Sequence, residues 1–271
     1  MSERVGGTHS LVTFFVIAYA WAWLFYMPMA IVHARLQWVM LAALGPTIAA
    51  AVANRIETGT YRAFTIFTTL RRVLGATAVG VALMLLAYVV LPAVTTADVR
   101  KLHWSILGSV SVYNYSTLLG GPLFEEPGWR GFALPRLEAR YGPVGATLVL
   151  APLWAGWHLP LLFYTGWISA SWWVYLLFIL GSSVILTYVT NLARFSVVAP
   201  IVTHAVFNTA SRFLNGMLAG AEPNVRVVPF ELVMALGGLA TGVVLILATS
   251  GQLGYASRTV IGVSDSNALR R

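Results

Sequence analysis

The sequence contains no cysteine, and only 10% of its 271 residues are charged. The absence of cysteine excludes disulfide bonds, thiolate metal sites and a cysteine nucleophile. A soluble domain carries about 25% charged residues, so this chain has too few charges to cover a water-soluble fold. Because 58% of the residues are hydrophobic, an intrinsically disordered chain is excluded as well. The composition therefore predicts a membrane protein.

Long apolar runs fill most of the chain and predict an all-α fold, a polytopic bundle of transmembrane helices. A helix of about 20 apolar residues crosses the hydrocarbon core of a bilayer. We expect a single membrane-embedded domain over residues 1–271, with a core near 40–216 and a loose tail near 252–271. About eight runs are candidate spans: 11–33, 36–53, 73–94, 104–124, 144–164, 171–191, 197–216 and 228–250.

The net charge of +8 comes from basic residues scattered between these runs, not from the continuous patch that binds nucleic acid. We therefore expect membrane lipids, and not nucleic acid, as partners. Most of the Arg residues fall in loops on the side of the N-terminus, which predicts cytoplasmic ends and a location in the cell membrane. Near 128–141, apolar side chains alternate with Arg136 and Arg140, which predicts a short amphipathic segment in the membrane interface.

A few polar side chains lie inside the runs, where an ionisable group costs at least about 2.5–3.5 kcal/mol. His158 lies in one run, and His204, Asn208 and Arg212 lie in another at intervals of four residues. That interval places the last three on one face of a helix. Such a face either lines a polar cavity or bonds neighbouring helices together, and spacing alone leaves both open.

Two adjacent carboxyl groups, Glu125 and Glu126, stand at the end of a run and precede Pro127. Because the residue before a proline is disfavoured in the α region, regular helix is expected to break near Glu126. Arg130 lies four residues further on and is expected to pair with Glu126 if local helix forms. Glu125 is then the less compensated carboxyl group and a candidate general base. A solvated loop with a surface ion pair is the alternative.

Taken together, these residues resemble the CPBP family of intramembrane proteases, also named CAAX proteases and bacteriocin-processing enzymes, or the Abi family. Three motifs of that family occur here in order: EExxxR at Glu125, Glu126 and Arg130, FxxxH at Trp154 and His158, and HxxxN at His204 and Asn208. In the second motif, Trp154 replaces the usual phenylalanine, and this is interpreted as a change at a packing position.

The resemblance implies an endopeptidase that hydrolyses a peptide bond near the cytoplasmic membrane face. Its substrate would be a peptide or protein, with lipidated and membrane-anchored proteins included. Glu125 and His158 would bind and deprotonate a water molecule, while His204 and Asn208 would stabilise the oxyanion. The second glutamate and the arginine of the first motif would hold Glu125 in place.

Three alternatives accompany this hypothesis. Glu125, His158 and His204 form a possible zinc ligand set, so a zinc-dependent protease is the first alternative, although no metal cofactor is favoured. The chain has no HExxH motif, and an asparagine serves better as a hydrogen-bond donor than as a zinc ligand. The others are a proton-coupled transporter that uses the same groups as a relay, and a non-catalytic immunity or scaffold protein.

Overall fold

A computed structural model of the chain describes residues 2–32, 38–96, 121–163, 171–218 and 230–256. Within these ranges the regular structure is helical and contains no β-strand, which confirms the all-α prediction. The α-helices are α1 (Ser2–Val32), α2 (Trp38–Ala43), α3 (Gly45–Thr58), α4 (Leu70–Leu85), α5 (Leu91–Thr96), α6 (Pro122–Glu126), α7 (Leu134–Trp157), α8 (Trp172–Leu192), α9 (Val198–Leu218) and α10 (Phe230–Ala248). Two π-helical segments (Leu86–Val90 and Pro127–Ala133) and a 3-10 helix (Leu159–Phe163) complete them.

Several of these helices are long and apolar enough to span a bilayer, so the protein is a multi-pass membrane protein. Of the predicted runs, 104–124 lies almost wholly outside the described residues. The runs 144–164 and 197–216 fall largely in α7 and α9, and the total of eight spans remains a prediction. Within the described residues, five spans meet this criterion of length and composition: His9–Ile31, Trp38–Thr58, Leu70–Val90, Trp172–Leu192 and Glu231–Ala248.

Small residues let the helices approach closely, as is usual where the surrounding lipid offers little hydrophobic driving force. Helix α10 packs on α8, and a Cβ atom added to Gly181 would lie 2.5 Å from the carbonyl carbon of Gly238. A Cβ atom added to Gly128 would lie 2.4 Å from the backbone oxygen of Pro46, at the start of α3. The second contact places the chain after α6 directly against α3, and this segment carries Arg130, the last residue of the EExxxR motif.

The segment predicted to be amphipathic over 128–141 is amphipathic only in its second half. Residues 127–134 are all buried, because the π-helical turn and the start of α7 are enclosed by neighbouring helices. Exposed side chains begin further along and include Arg140. The apolar residues of the first half therefore belong to the core of the bundle.

The first residues of the predicted tail pack against the helices. Leu253 is fully buried, and its carbonyl oxygen accepts a hydrogen bond from Asn191 Nδ2 at 3.1 Å. The same nitrogen donates to Glu138 Oε1 at 2.7 Å. Glu138 lies outside the five spans, and its burial raises the pKa of its carboxyl group to about 8, although the hydrogen bond from Asn191 acts in the opposite direction. Residues 257–271 lie outside the described residues.

Glu138 makes the stability of the protein depend on pH. Between the ordinary pKa of a glutamate, 4.5, and about 8, the folded protein keeps the proton that the unfolded chain loses. Stability therefore falls as pH rises through this interval. We expect Glu138→Gln to remove this loss, so that the melting temperature of the variant in detergent gains on that of the wild type from pH 5 to pH 8. A difference in melting temperature between variant and wild type that stays the same at all pH values would contradict the assignment.

Candidate active site

The EExxxR motif lies where an α-helix changes to a π-helix. Helix α6 ends at Glu126, and residues Pro127–Ala133 continue with π-helical hydrogen bonding. The predicted interruption is thus present, but Glu126 itself stays in the right-handed helical region at φ −63° and ψ −33°. Because the chain remains helical in this form, Arg130 comes within reach of Glu126.

Glu126 is the centre of a buried charged network. Its Oε1 accepts a hydrogen bond from Arg130 NH1 at 3.2 Å and another from His204 Nδ1 at 2.6 Å. The side chains of all three residues are at most 3% exposed, so water does not screen their interactions. The predicted pairing of Glu126 with Arg130 is confirmed, and the solvated-loop alternative is wrong. His204 comes from α9, so the network joins two distant parts of the chain.

Glu125 has a different partner. Its Oε2 accepts a hydrogen bond from the indole nitrogen of Trp154 at 2.8 Å. Its Oε1 faces Gly121, where an added Cβ atom would lie 2.9 Å from that oxygen and 3.6 Å from Asn208 Nδ2. The carboxyl group of Glu125 and the amide of Asn208 therefore both face Gly121, a position without a side chain.

His158 follows the last residue of α7, and the backbone fixes its imidazole ring. Its Nδ1 lies 3.0 Å from the carbonyl oxygen of Trp154. A carbonyl oxygen only accepts, so Nδ1 carries the proton and the neutral ring has its lone pair on Nε2. Aromatic rings enclose the imidazole: the centroid of Trp157 lies at 4.6 Å, that of Tyr175 at 6.1 Å and that of Tyr26 at 6.4 Å.

Trp154 connects these groups. Its ring lies 4.2 Å from the guanidinium carbon of Arg130 and 5.2 Å, edge to face, from the ring of His204. With its indole nitrogen on Glu125 and its carbonyl oxygen on His158, it contacts four of the six predicted site residues. From the sequence, Trp154 is interpreted as a packing position. Its place four residues before His158, on the same face of α7, is the sequence feature that indicates a position in the site.

The six predicted residues thus lie in one buried region of the described structure. Glu126 and Arg130 bond directly to each other and His204 bonds to Glu126, whereas Asn208 and Glu125 both lie next to Gly121. Arg212 belongs to the same helix as His204, but its side chain lies outside the described part of the chain.

The zinc hypothesis requires three ligands that point at one ion. Within the described residues, no group of three His, Cys, Asp or Glu side chains is arranged to hold a metal ion. His204 directs Nδ1 at Glu126, and one oxygen of Glu125 is bonded to an indole. One nitrogen of His204 and one oxygen of Glu125 are therefore bonded to protein partners, and the zinc-dependent protease stays an alternative.

Two comparisons with known proteins bear on this site. Residues 107–210 match a family model described as type II CAAX prenyl endopeptidase Rce1-like. CAAX prenyl protease 2 of Methanococcus maripaludis is 31% identical to this chain over 105 residues. The alignment covers 36% of this chain and 39% of the length of that curated relative. All six predicted site residues lie inside the segment that matches the family model.

The buried network predicts a large cost for the removal of Arg130. Arg130→Ala leaves the carboxylate of Glu126 with one partner in a buried site, and breaking a buried pair in this way costs about 3–5 kcal/mol. We expect a clearly lower melting temperature in detergent. Arg72→Ala is the matched control, because it removes the same charge from an exposed position. Equal melting temperatures for the two variants would contradict the role of the network.

Proposed function

We propose that this protein is an intramembrane endopeptidase that cleaves a peptide bond by general-base activation of water. The observation that carries the proposal is the division of partners between two adjacent buried glutamates. Glu126 is bonded to Arg130 and His204, whereas Glu125 has a single neutral donor, Trp154, among the described residues. A carboxylate compensated in this way suits a base that must take up and release a proton.

In the proposed reaction, a water molecule binds between Glu125 and Nε2 of His158. Glu125 accepts a proton from the water. At the same time the oxygen of the water attacks the carbonyl carbon of the scissile bond, and a tetrahedral oxyanion forms. Glu125 then gives that proton to the nitrogen of the leaving amine, and the C–N bond breaks. The products are one carboxylic acid and one amine, so the water is consumed and the base is regenerated.

The oxyanion is assigned to His204 and Asn208. When the ring of His204 carries both protons, Nδ1–H bonds to Glu126 and Nε2–H is available as a donor. The amide of Asn208 lies one helical turn further along α9 and next to Glu125, on the same side of the site. A donor of this kind contributes about 2.7–4 kcal/mol of transition-state stabilisation.

For the substrate, we propose a membrane-associated protein with a prenylated C-terminal CAAX sequence. The support is the similarity of 105 residues of this chain to CAAX prenyl protease 2 and of residues 107–210 to the endopeptidase family model. A site enclosed by apolar helices also suits a substrate that carries a lipid chain.

The first test is cleavage of a fluorogenic CAAX peptide, with and without its prenyl group, by purified protein in lipid nanodiscs. We expect Glu125→Gln, which keeps the shape of the side chain but removes the base, to lower kcat/KM at least about a hundredfold. Glu57→Gln is the control, since Glu57 is only partly buried and pairs with Arg136 at 2.8 Å. Undiminished cleavage by Glu125→Gln would refute the assignment of the base.

The second test separates the metal-free reaction from the zinc-dependent one. After exhaustive chelation and dialysis, we expect the protein to retain its turnover and to contain no stoichiometric metal by elemental analysis. Turnover that is lost on chelation and restored by zinc would favour the zinc-dependent protease.

A further inference from the structure

We propose that Trp154 is a positioning residue that assigns separate tasks to the two carboxylate oxygens of Glu125. The indole N–H anchors Oε2, and this leaves Oε1 as the oxygen that exchanges a proton with water. The inference rests on the proposed function, because it specifies which atom of the base reacts.

The indole of Trp154 is hydrogen-bonded to the carboxyl group of Glu125. Trp154 Nε1 lies 2.8 Å from Glu125 Oε2, and both residues are at most 3% exposed. An indole nitrogen donates and never accepts, so the oxygen that faces it must offer a lone pair. A proton that Glu125 takes up therefore goes to the other oxygen, since a proton on Oε2 in this direction would meet the N–H.

The other carboxylate oxygen of Glu125, Oε1, has different surroundings. Oε1 faces Gly121, and the amide of Asn208 approaches the same position. The oxygen that Trp154 leaves unoccupied thus lies on the side of Asn208, to which the proposed reaction assigns oxyanion stabilisation. An unanchored carboxyl group would exchange its two oxygens by rotation about the last side-chain bond.

The indole ring of Trp154 is itself held in place by neighbouring side chains. Its face lies 4.2 Å from the guanidinium carbon of Arg130, a cation–π contact between two buried side chains. Its ring centroid is 5.2 Å from that of His204 at an angle of 82°. Arg130 and His204 are both bonded to Glu126, so the second glutamate of the motif positions the first through Trp154.

The test compares two buried tryptophans. Trp154→Phe keeps an aromatic ring but removes the N–H that bonds to Glu125. Trp129→Phe is the matched control, because Trp129 is fully buried and its indole nitrogen has no partner in the described structure. We expect Trp154→Phe to lower kcat by about ten- to a hundredfold, the effect of losing a hydrogen bond to a charged group, with KM nearly unchanged. Trp129→Phe should leave both constants close to those of the wild type.

A second replacement removes the N–H without changing the packing. Benzothienylalanine, introduced at position 154 by suppression of a stop codon, keeps the bicyclic ring and has sulfur in place of the N–H. We expect a loss of kcat similar to that of Trp154→Phe, with a melting temperature equal to that of the wild type. This replacement remains informative if Trp154→Phe does not fold.

The outcomes are distinguishable. If the wild type cleaves the CAAX peptide and the benzothienylalanine protein retains full kcat, the inference about Trp154 is overturned and the proposed function stands. Equal kcat values for Trp154→Phe and Trp129→Phe have the same meaning. If the wild type cleaves no peptide and Glu125→Gln equals it, the proposed function is overturned together with this inference.

Discussion

The structure of the site depends on one constraint, which is that two neighbouring carboxyl groups are buried away from bulk water. Two adjacent negative charges in a medium of low dielectric constant repel strongly, and each needs a partner or a proton. The chain meets this requirement unequally. Glu126 has a guanidinium group and an imidazole as partners, and Glu125 has an indole. This inequality gives two chemically identical side chains separate roles, one structural and one reactive.

The backbone around the pair follows from the same requirement. Arg130 is four residues after Glu126, and the chain between them must stay helical for the two to meet, although Pro127 lacks the N–H that a regular helix needs. The π-helical turn keeps the chain helical between Glu126 and Arg130. Gly128 and Gly131 allow the turn to lie against Pro46 and Phe64, where any larger residue would force the helices apart. Close packing and the charged network therefore support each other.

Much of this could be predicted from sequence because it is periodic or local. The shortage of charge predicted a membrane fold, and spacings of four residues predicted the pairing of Glu126 with Arg130. The burial of residues 127–134 was not predictable in this way, because their apolar and basic pattern is compatible with an interface as well as a core. The contact between Trp154 and Glu125 was also missed. It depends on the direction of one N–H between two residues that are 29 positions apart in sequence, and no periodicity encodes that direction.

The placement of His158 shows why residues outside the matched segment matter. A helix ends with carbonyl groups that have no partner within it, and at membrane depth each needs a donor. The last turn of α7 presents such groups beside the site. Helix α1 supplies two donors here: Trp23 bonds to the carbonyl of Trp157 in the last turn, and Tyr19 bonds to that of Leu153 just before it. Nδ1 of His158 bonds to the carbonyl of Trp154, and this bond fixes the ring. Contacts from α1, outside the matched segment, thus stabilise the helix end that places the imidazole in the site.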